Sequence, residues 1–274
     1  MSEGRLFVCG TPIGNLSDIS ARFRETLSSA DVVYAEDTRR VAKLLAHLGV
    51  TVEVRSLFKG NERSRSEELV KALSEGKSVA LVSDAGVPTI SDPGAMAVRL
   101  ARDGGHQVIV IPGPSAVTAA LAVSGFPADR FVFEGFLPRR AGSRRDRLMA
   151  IATDDRTTVL FASPKRLAED LLAMREVMGE ERLVAVAREL TKLHEEVWVG
   201  PLSEALVRWP GEVRGEVTIV VSPGVAAVPS LTEAVTIARD LVADGVSVSE
   251  ASRQAASETG VSRRDVYQAL VEGH

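Results

Sequence analysis

Cysteine is nearly absent from this sequence of 274 residues, since Cys9 is the single one. One cysteine excludes an intramolecular disulfide and a cysteine-based zinc cluster, and it is typical of a protein from a reducing compartment. The four histidines, at 47, 106, 194 and 274, lack the spacing of metal ligands. We therefore expect no metal and, because the first residues do not read as a secretory signal peptide, a cytoplasmic protein.

Excess positive charge is missing too. The formal net charge is −4, which argues against a protein that coats nucleic acid by bulk attraction. The uncharged stretch from Gln107 to Ala128 is long enough to span a bilayer, but Pro112, Gly113 and Pro114 interrupt it, so we expect no membrane association. With 45% hydrophobic and 26% charged residues, the composition is that of a globular protein.

Short β-branched segments alternate with segments of helical period, which predicts an α/β fold of parallel strands joined by crossover helices. Strands are predicted near 6–9, 32–35, 79–82 and 108–111 in a first half. In a second half, poorer in helix, they are predicted near 131–134, 157–161, 183–187, 197–199 and 217–221, where we expect a mixed sheet. The turn at Gly125 to Pro127 separates the halves, which predicts two α/β domains over 1–125 and 126–226.

The last segment, 230–274, changes to three short helical stretches and resembles a helix-turn-helix module. It holds four arginines against seven acids, so its charge does not favour strong nucleic-acid binding. A small packing or RNA-positioning module is the favoured interpretation, and DNA binding stays open as the alternative.

The loops after the first-half strands are rich in glycine, proline and small polar residues. They are Gly10 to Asn15, Glu36 to Arg40, Ser83 to Gly94 and Pro112 to Ala116. Ligands of open α/β sheets bind at the carboxyl ends of the strands. These loops therefore predict a binding site in which the protein backbone approaches a ligand closely. Neither G-x-G-x-x-G after the first strand nor G-x-x-x-x-G-K-[ST] is present, which leaves the two common nucleotide sites unsupported.

Seven motifs in this order resemble the tetrapyrrole methylase family: G-T-P-I-G-N-L-S-D-I-S, E-D-T-R, S-D-A-G-V-P-T-I-S-D-P-G, P-G-P-S-A, F-E-G-F-L-P, R-E-L-T-K and G-E-V-T-I-V-V. The resemblance covers roughly residues 4 to 223. Within the family, the sequence most resembles the branch that methylates the ribose 2'-hydroxyl of a decoding-site cytidine in 16S ribosomal RNA. The resemblance implies two α/β domains with a cofactor cleft between them, S-adenosylmethionine as methyl donor, and a homodimer.

By family position, the donor would contact residues of both domains: Pro12, Ile13, Asp84, Ala85, Gly86, Val87, Ser115, Ala116, Phe161, Leu190, Val217 and Thr218. Backbone groups can bind an adenine edge and an amino-acid tail while apolar neighbours exclude water. The Asp84 carboxylate could accept a hydrogen bond from a hydroxyl or ammonium of the donor, or it could cap its own turn.

A ribose hydroxyl is a poor nucleophile at neutral pH, so a nearby base or cation should speed the transfer. Candidate catalytic or positioning residues lie on the same rim, and they are Glu36, Asp37, Arg39 and Lys192. For Glu36 and Asp37, capping of the following helix is the alternative.

Six arginines and two acids lie between 130 and 147, in a segment whose Gly and Pro predict a loop that reaches phosphates. The candidate RNA contacts are Arg139, Arg140, Arg144, Arg145 and Lys165. A solvated charged turn is the alternative. The implied partner is 16S ribosomal RNA or the small ribosomal subunit.

Two other functions stay open at this point. One is a methyltransferase of the same fold that acts on a tetrapyrrole or another small substrate, and the other is a ligand-sensing regulator that binds nucleic acid through the last helices. The basic segment favours a polyanionic substrate over the first, and the acidic tail counts against the second.

Overall fold

The computed structural model of the protein describes residues 4–224 and 231–272. Its first sheet contains β1 (Arg5–Cys9), β2 (Val32–Ala35), β3 (Glu53–Ser56), β4 (Ser78–Val82) and β5 (Gln107–Ile111). All pairings are parallel, in the order β3-β2-β4-β1-β5. This confirms the expected parallel architecture and brings the loops after β1, β2, β4 and β5 to one edge.

Helices α1 (Ala21–Ser29) and α2 (Thr38–Leu48) cover one face of this sheet, and α3 (Glu62–Ser74) and α4 (Ala95–Asp103) cover the other. Helix α5 (Ala116–Ser124) follows β5 and packs against the strands of a second sheet. Alternate strand residues therefore enter two separate cores. Tyr34 packs in one and its neighbour Val33 in the other, both fully buried. Burial on both faces explains why these strands are continuous apolar runs.

The fifth strand of this sheet, β3, was not among the predicted strands. Its sequence is Glu-Val-Arg-Ser and none of its four residues is fully buried. An edge strand of this kind has no apolar alternation to detect.

The second sheet contains β6 (Phe131–Phe136), β7 (Thr157–Ala162), β8 (Leu183–Arg188), β9 (Glu196–Pro201) and β10 (Val217–Val221). The order is β6-β7-β10-β8-β9, with β6 and β7 parallel and the other pairings antiparallel, which confirms a mixed sheet. This half is poorer in helix than the first, as expected, because three α-helices accompany its sheet against five before Gly125 in the described residues. The three are α6 (Ala141–Thr153), α7 (Leu167–Met178) and α8 (Leu202–Arg208), none of which was predicted from the sequence. Helix α6 buries only Arg144, Leu148 and Ile151, so its apolar period is weak.

The predicted terminal helices are confirmed as α9 (Leu231–Ala243), α10 (Val248–Thr259) and α11 (Arg263–Val271). They share a small core of fully buried Ala234, Ala238, Ala251, Ala255 and Val266. No helix in the described ranges is both long and apolar enough to cross a bilayer.

The domain limits stay predictions. Gly125, at φ 73°, ends α5 after all first-sheet strands and before all second-sheet strands. The predicted limits at 226 and 230 lie outside the described residues.

Candidate active site

A cavity of about 880 Å³ lies between the loop edge of the first sheet and strands β6, β7 and β10 of the second. Helix α5 packs on the second sheet beside the cavity, because Val117 and Leu121 lie in one apolar cluster with Val159 and Val220. Ile13, from the loop after β1, lies in the same cluster and connects it to the first sheet. Ten of the twelve predicted donor contacts line this cavity: Ile13, Asp84, Ala85, Gly86, Val87, Ser115, Ala116, Phe161, Val217 and Thr218.

The other two predicted contacts, Pro12 and Leu190, are not among the residues that line the cavity. Leu190 is buried in the apolar cluster that also holds Ile13. It supports a lining residue from behind, and Pro12 precedes that same residue in the chain.

Backbone hydrogen bonds join the loops that follow β1 and β4. The Thr11 N–H donates to the Gly86 carbonyl over 2.8 Å, and the Gly86 N–H donates to the Thr11 carbonyl over 3.1 Å. Gly10 and Gly113 approach so closely that a Cβ on Gly113 would lie 2.3 Å from the Gly10 carbonyl oxygen. The packing of these two loops against each other therefore requires glycine at both positions, and both lie in loops that the sequence predicted to approach a ligand.

The loop from Ser83 to Gly94 holds an unfavourable backbone conformation at the cavity wall. Thr89 and Ser91 have φ of 76° and 66°, in the left-handed region that such residues rarely adopt. The Glu62 carboxylate restrains the end of the loop, since it accepts from the Gly94 N–H over 2.8 Å. Strain of this kind persists where the surroundings fix it and is concentrated at functional sites.

Three carboxylates from this edge, Glu36, Asp84 and Asp92, line the cavity. Asp84 Oδ1 accepts from the Asp37 backbone N–H over 3.0 Å, and Oδ2 lies 3.6 Å from Arg40 Nε. The Asp84 side chain therefore ties the β4 loop to the β2 loop, and a role in ligand binding stays a prediction.

Burial and mutual repulsion shift the other two carboxyls. The pKa of Asp92 is raised to about 6, first by burial and then by the charges of Glu36 and Asp84. The pKa of Glu36 is raised by burial and by Asp84, although Lys59 and Arg40 act in the opposite direction. Paired carboxyls with raised pKa values in a cleft are typical of proton-transfer sites.

Asp37 and Arg39 bind each other at the start of α2 and do not line the cavity. The Asp37 side chain accepts from the Arg39 backbone N–H and guanidinium, both over 2.9 Å, which confirms that Asp37 caps the helix. These bonds lower the pKa of the Asp37 carboxyl to about 2. The carboxyl is therefore ionised at neutral pH and is a weak proton acceptor.

Lys192 does not line the cavity but contacts a residue that does. Its Nζ donates to Glu189 Oε1 over 2.7 Å and to Glu216 Oε2 over 3.1 Å, and Glu216 lines the cavity. Partial burial lowers its pKa, but the two carboxylates outweigh that effect and leave the pKa raised. The geometry suits a positively charged positioning group rather than a base.

The segment 130–147 is not the loop that its composition predicted, because β6 and α6 occupy most of it. Arg144 is buried, with its guanidinium 2.7 Å from Glu169 and 3.7 Å from Asp170. It holds α6 against α7 and does not face solvent. Arg139, Arg140, Arg145 and Lys165 are exposed, and among them Arg139 and Lys165 line the cavity.

Asp170→Asn should destabilise the fold strongly. The carboxylate is 3% exposed and lies between Arg144 and Arg166. Burial raises the pKa of this carboxyl although both arginines lower it, so the cost of its removal comes from the buried Arg144 guanidinium, which keeps only Glu169 as an ionic partner. We expect a loss of about 3 kcal/mol in the free energy of unfolding, measured by urea denaturation. Glu169→Gln on the same two arginines is the control, because Glu169 is half exposed and should cost at most about 1 kcal/mol. Equal losses would contradict a buried ionic support.

Comparison with known proteins decides the family. Residues 5–206 match the family model of tetrapyrrole (corrin/porphyrin) methylases. The chain belongs to the tetrapyrrole methylase family. Among curated relatives, ribosomal RNA small subunit methyltransferase I of Mycobacterium tuberculosis is 46% identical over 99% of this chain and 96% of its own length. The Synechocystis and Escherichia coli O157:H7 proteins of the same name are 42% and 39% identical, over 98% and 99% of this chain and 98% and 96% of their own lengths.

Solved methylase structures share the fold at low identity. The methyltransferase CobJ has a TM-score of 0.62 at 21% identity, and diphthine synthase has 0.61 at 20%, each over 80% of this chain and 94% and 90% of its own length.

Several residues that line this cavity were not predicted from the sequence, and three of them carry the arguments that follow: Asp92, Phe136 and Glu216. Asp92 lies eight positions after Asp84 in the same motif, and the sequence does not show that the fold of the loop places both residues at the cavity. Phe136 lies within F-E-G-F-L-P, where a bulge described below sets its direction. Glu216 directly precedes β10, and this position next to the predicted contacts Val217 and Thr218 was the sequence feature that could have identified it.

Proposed function

We propose that this chain transfers a methyl group from S-adenosylmethionine to the ribose 2'-hydroxyl of a decoding-site cytidine in 16S ribosomal RNA. The observation that carries the proposal is the cavity, where backbone and apolar groups suited to the donor lie beside a carboxyl suited to take a proton. Similarity over nearly the full length to proteins named for small-subunit RNA methylation supports the substrate class.

The residues present fit the donor. A volume of about 880 Å³ lies within the range of pockets for ligands of that size. Gly86, at φ 80°, presents backbone at a place where a Cβ would lie 3.6 Å from Ile13, and Val87, Ala116 and Phe161 supply apolar walls. Cationic sulfonium and ammonium groups suit a cavity lined by carboxylates. When bound, S-adenosylmethionine supplies an electrophilic methyl group on a sulfur that leaves as a neutral thioether.

Asp92 accepts the hydroxyl proton in this proposal. Its carboxyl is ionised at neutral pH, yet its pKa of about 6 makes it a stronger base than an ordinary aspartate. The Asp92 carboxylate would hold the hydroxyl proton at one of its oxygens while the ribose oxygen takes up the methyl group that the donor supplies. Glu36 raises the proton affinity of Asp92 and lines the same wall.

The other predicted catalytic residues act by position in this proposal. Asp37 and Arg39 fix the start of α2, which carries Arg40 toward Asp84. Lys192 orients Glu216 at the opposite wall. Homodimerisation, which the family resemblance implies, and a cytoplasmic location, which the near absence of cysteine favours, accompany the proposal as expectations.

RNA phosphates should bind the exposed arginines that precede and begin α6. We expect Arg139→Glu combined with Arg140→Glu to weaken RNA binding and to reduce the slope of log affinity against log salt by about 1–2, because each lost phosphate contact releases one fewer counterion. Fluorescence anisotropy at several salt concentrations measures the slope. The same double reversal at exposed Arg99 and Arg102 of α4 is the charge-matched control, and an equal change there would contradict a specific surface.

Methyl transfer from labelled donor tests the function directly. We expect label in small-subunit RNA and, after digestion, in 2'-O-methylcytidine from the decoding region. Label on a base, or label in a tetrapyrrole but not in RNA, would reject the proposal. RNA binding without any transfer would favour the regulator.

A further inference from the structure

A β-bulge turns Phe136 toward the cavity. Strand β6 pairs with β7 as Phe133 with Val159, then Gly135 with Leu160 and Phe136 with Phe161, so one extra residue is inserted between Phe133 and Gly135. Gly135 has φ 67°, which accommodates the bulge. Without the insertion, Phe136 would pair one position further along, beside Ala162, and would point into the core beneath α6 and α7.

The redirected ring is unusually exposed for a residue in a cleft. Phe136 is 58% exposed and lines the cavity, where it touches Phe161 at 5.6 Å between centroids and an angle of 57°. Phe161 in turn packs edge-on against Phe133 at 4.9 Å. One aromatic face is thus supported from behind while the front stays open, which is the arrangement of a stacking platform.

Two cations without an ion-pair partner in the described part of the chain lie on the same cavity wall. They are Arg139 and Lys165, both exposed. The neighbouring Arg166 differs, since it is held by Asp170 at 2.9 Å. An open aromatic face in the same cavity as two such cations complements a nucleobase flanked by phosphates, whereas an apolar peptide would leave both cations without a partner.

We propose that Phe136 is the stacking platform for a nucleobase that the substrate RNA turns out of its own stack, with Arg139 and Lys165 on the adjoining phosphates. This rests on the proposed function, because it concerns the acceptor nucleotide of the same cavity. The loop that carries Asp92 meets β6 next to Phe136, since a Cβ on Gly135 would lie 3.4 Å from Ser91 Oγ, so the ribose of a nucleotide stacked on Phe136 would enter near that loop. We expect the nucleotide to leave its stack because a cavity of about 880 Å³ admits a single nucleotide beside the donor and does not admit a paired helix.

Substitutions at Phe136 separate stacking from simple packing. We expect Phe136→Ala to lower kcat/KM for RNA by about 5- to 150-fold, the range that one base stack supplies, with unchanged donor affinity. Phe136→Trp and Phe136→Tyr should stay within about 3-fold of the parent. Phe136→Leu keeps an apolar side chain without an aromatic face and should resemble Phe136→Ala. Phe131→Ala is the matched control, because Phe131 is a second exposed phenylalanine of β6 that does not line the cavity.

A fluorescent neighbour reports base extrusion without depending on catalysis. An RNA fragment carries 2-aminopurine on the 3' side of the mapped target nucleotide, and its emission rises when that nucleotide leaves the stack. We expect a rise on binding to the parent and to Phe136→Trp, and at most a small rise with Phe136→Ala at saturating protein.

Four outcomes decide the matter. Loss in Phe136→Ala with recovery in Phe136→Trp supports the platform. Parent-like kcat/KM in Phe136→Ala, or recovery by Phe136→Leu equal to that by Phe136→Trp, overturns it while the parent's RNA methylation leaves the proposed function standing. A parent that transfers no methyl group to RNA overturns both.

Discussion

Asp92→Asn should abolish methyl transfer and yet leave the fold at least as stable as the parent. The amide cannot accept the hydroxyl proton, so we expect kcat to fall by about 10²- to 10⁴-fold, the usual contribution of a general base. Donor and RNA affinities should stay within a few-fold, because Asn occupies the same volume. Single-turnover methyl transfer and calorimetric titration of the donor measure these quantities.

The stability of the same variant follows from the electrostatics of the cavity. Since the folded state raises the pKa of Asp92 to about 6 from an ordinary 3.8, the folded protein holds that proton more tightly than the unfolded chain. The contribution of Asp92 to stability therefore falls as pH rises from about 4 to 6 and stays unfavourable above. Asn removes this charge, so Tm at neutral pH should rise, by about 2–4 °C for each kcal/mol relieved.

Two comparisons make the Asp92 result decisive. Asp103→Asn at the exposed end of α4 is the matched control and should change neither kcat nor Tm. The parent rate should rise with pH through about 6 and then level, as the Asp92 carboxyl loses its proton. A fully active Asp92→Asn would remove the base from the mechanism, and an inactive variant with a much lower Tm would show a structural role instead.

Ala116→Trp should eliminate donor binding. Ala116 begins α5 and lines the cavity beside Gly86 and Phe161, so an indole there occupies the space that we assign to the donor. We expect the dissociation constant for S-adenosylmethionine to increase by at least about 100-fold, which corresponds to about 2.7 kcal/mol. Calorimetric titration of ligand-stripped protein measures it.

Helix α5 supplies the control for that substitution. Ala122→Trp places the same indole on the same helix at an exposed position away from the cavity. Its donor affinity should equal that of the parent, and both variants should melt within a few degrees of it. Comparable loss in the two variants would contradict the assignment of this cavity to the donor.

The sequence predicts the fold well because buried parallel strands are strongly apolar. Strands β1, β2, β4 and β5 were all predicted, and their parallel order brings four quoted loops to one edge. Edge strand β3 and helices α6, α7 and α8 were not predicted, and β3 and α6 bury no full apolar face. Burial of a charged residue such as Arg144 cannot be read from a run of arginines.

The site was predicted in part. Ten donor contacts that were predicted from motif positions line the cavity. The proposed base, Asp92, and the proposed stacking residue, Phe136, could be identified only from the folded structure. Asp92 is returned to the cavity by a loop with two residues at positive φ, and Phe136 is turned by a one-residue insertion in β6. A shift of one residue in strand register exchanges the two faces of a sheet, and composition does not record it.

A crystal structure of the complex with S-adenosylhomocysteine tests the central claim most directly. We predict the ligand between the sheets, against the backbone of 84–87 and the start of α5, with its sulfur on the side of the Asp92 carboxylate and open space left before Phe136. Density for the ligand on any other surface, or a pose that fills the space before Phe136, would contradict the account.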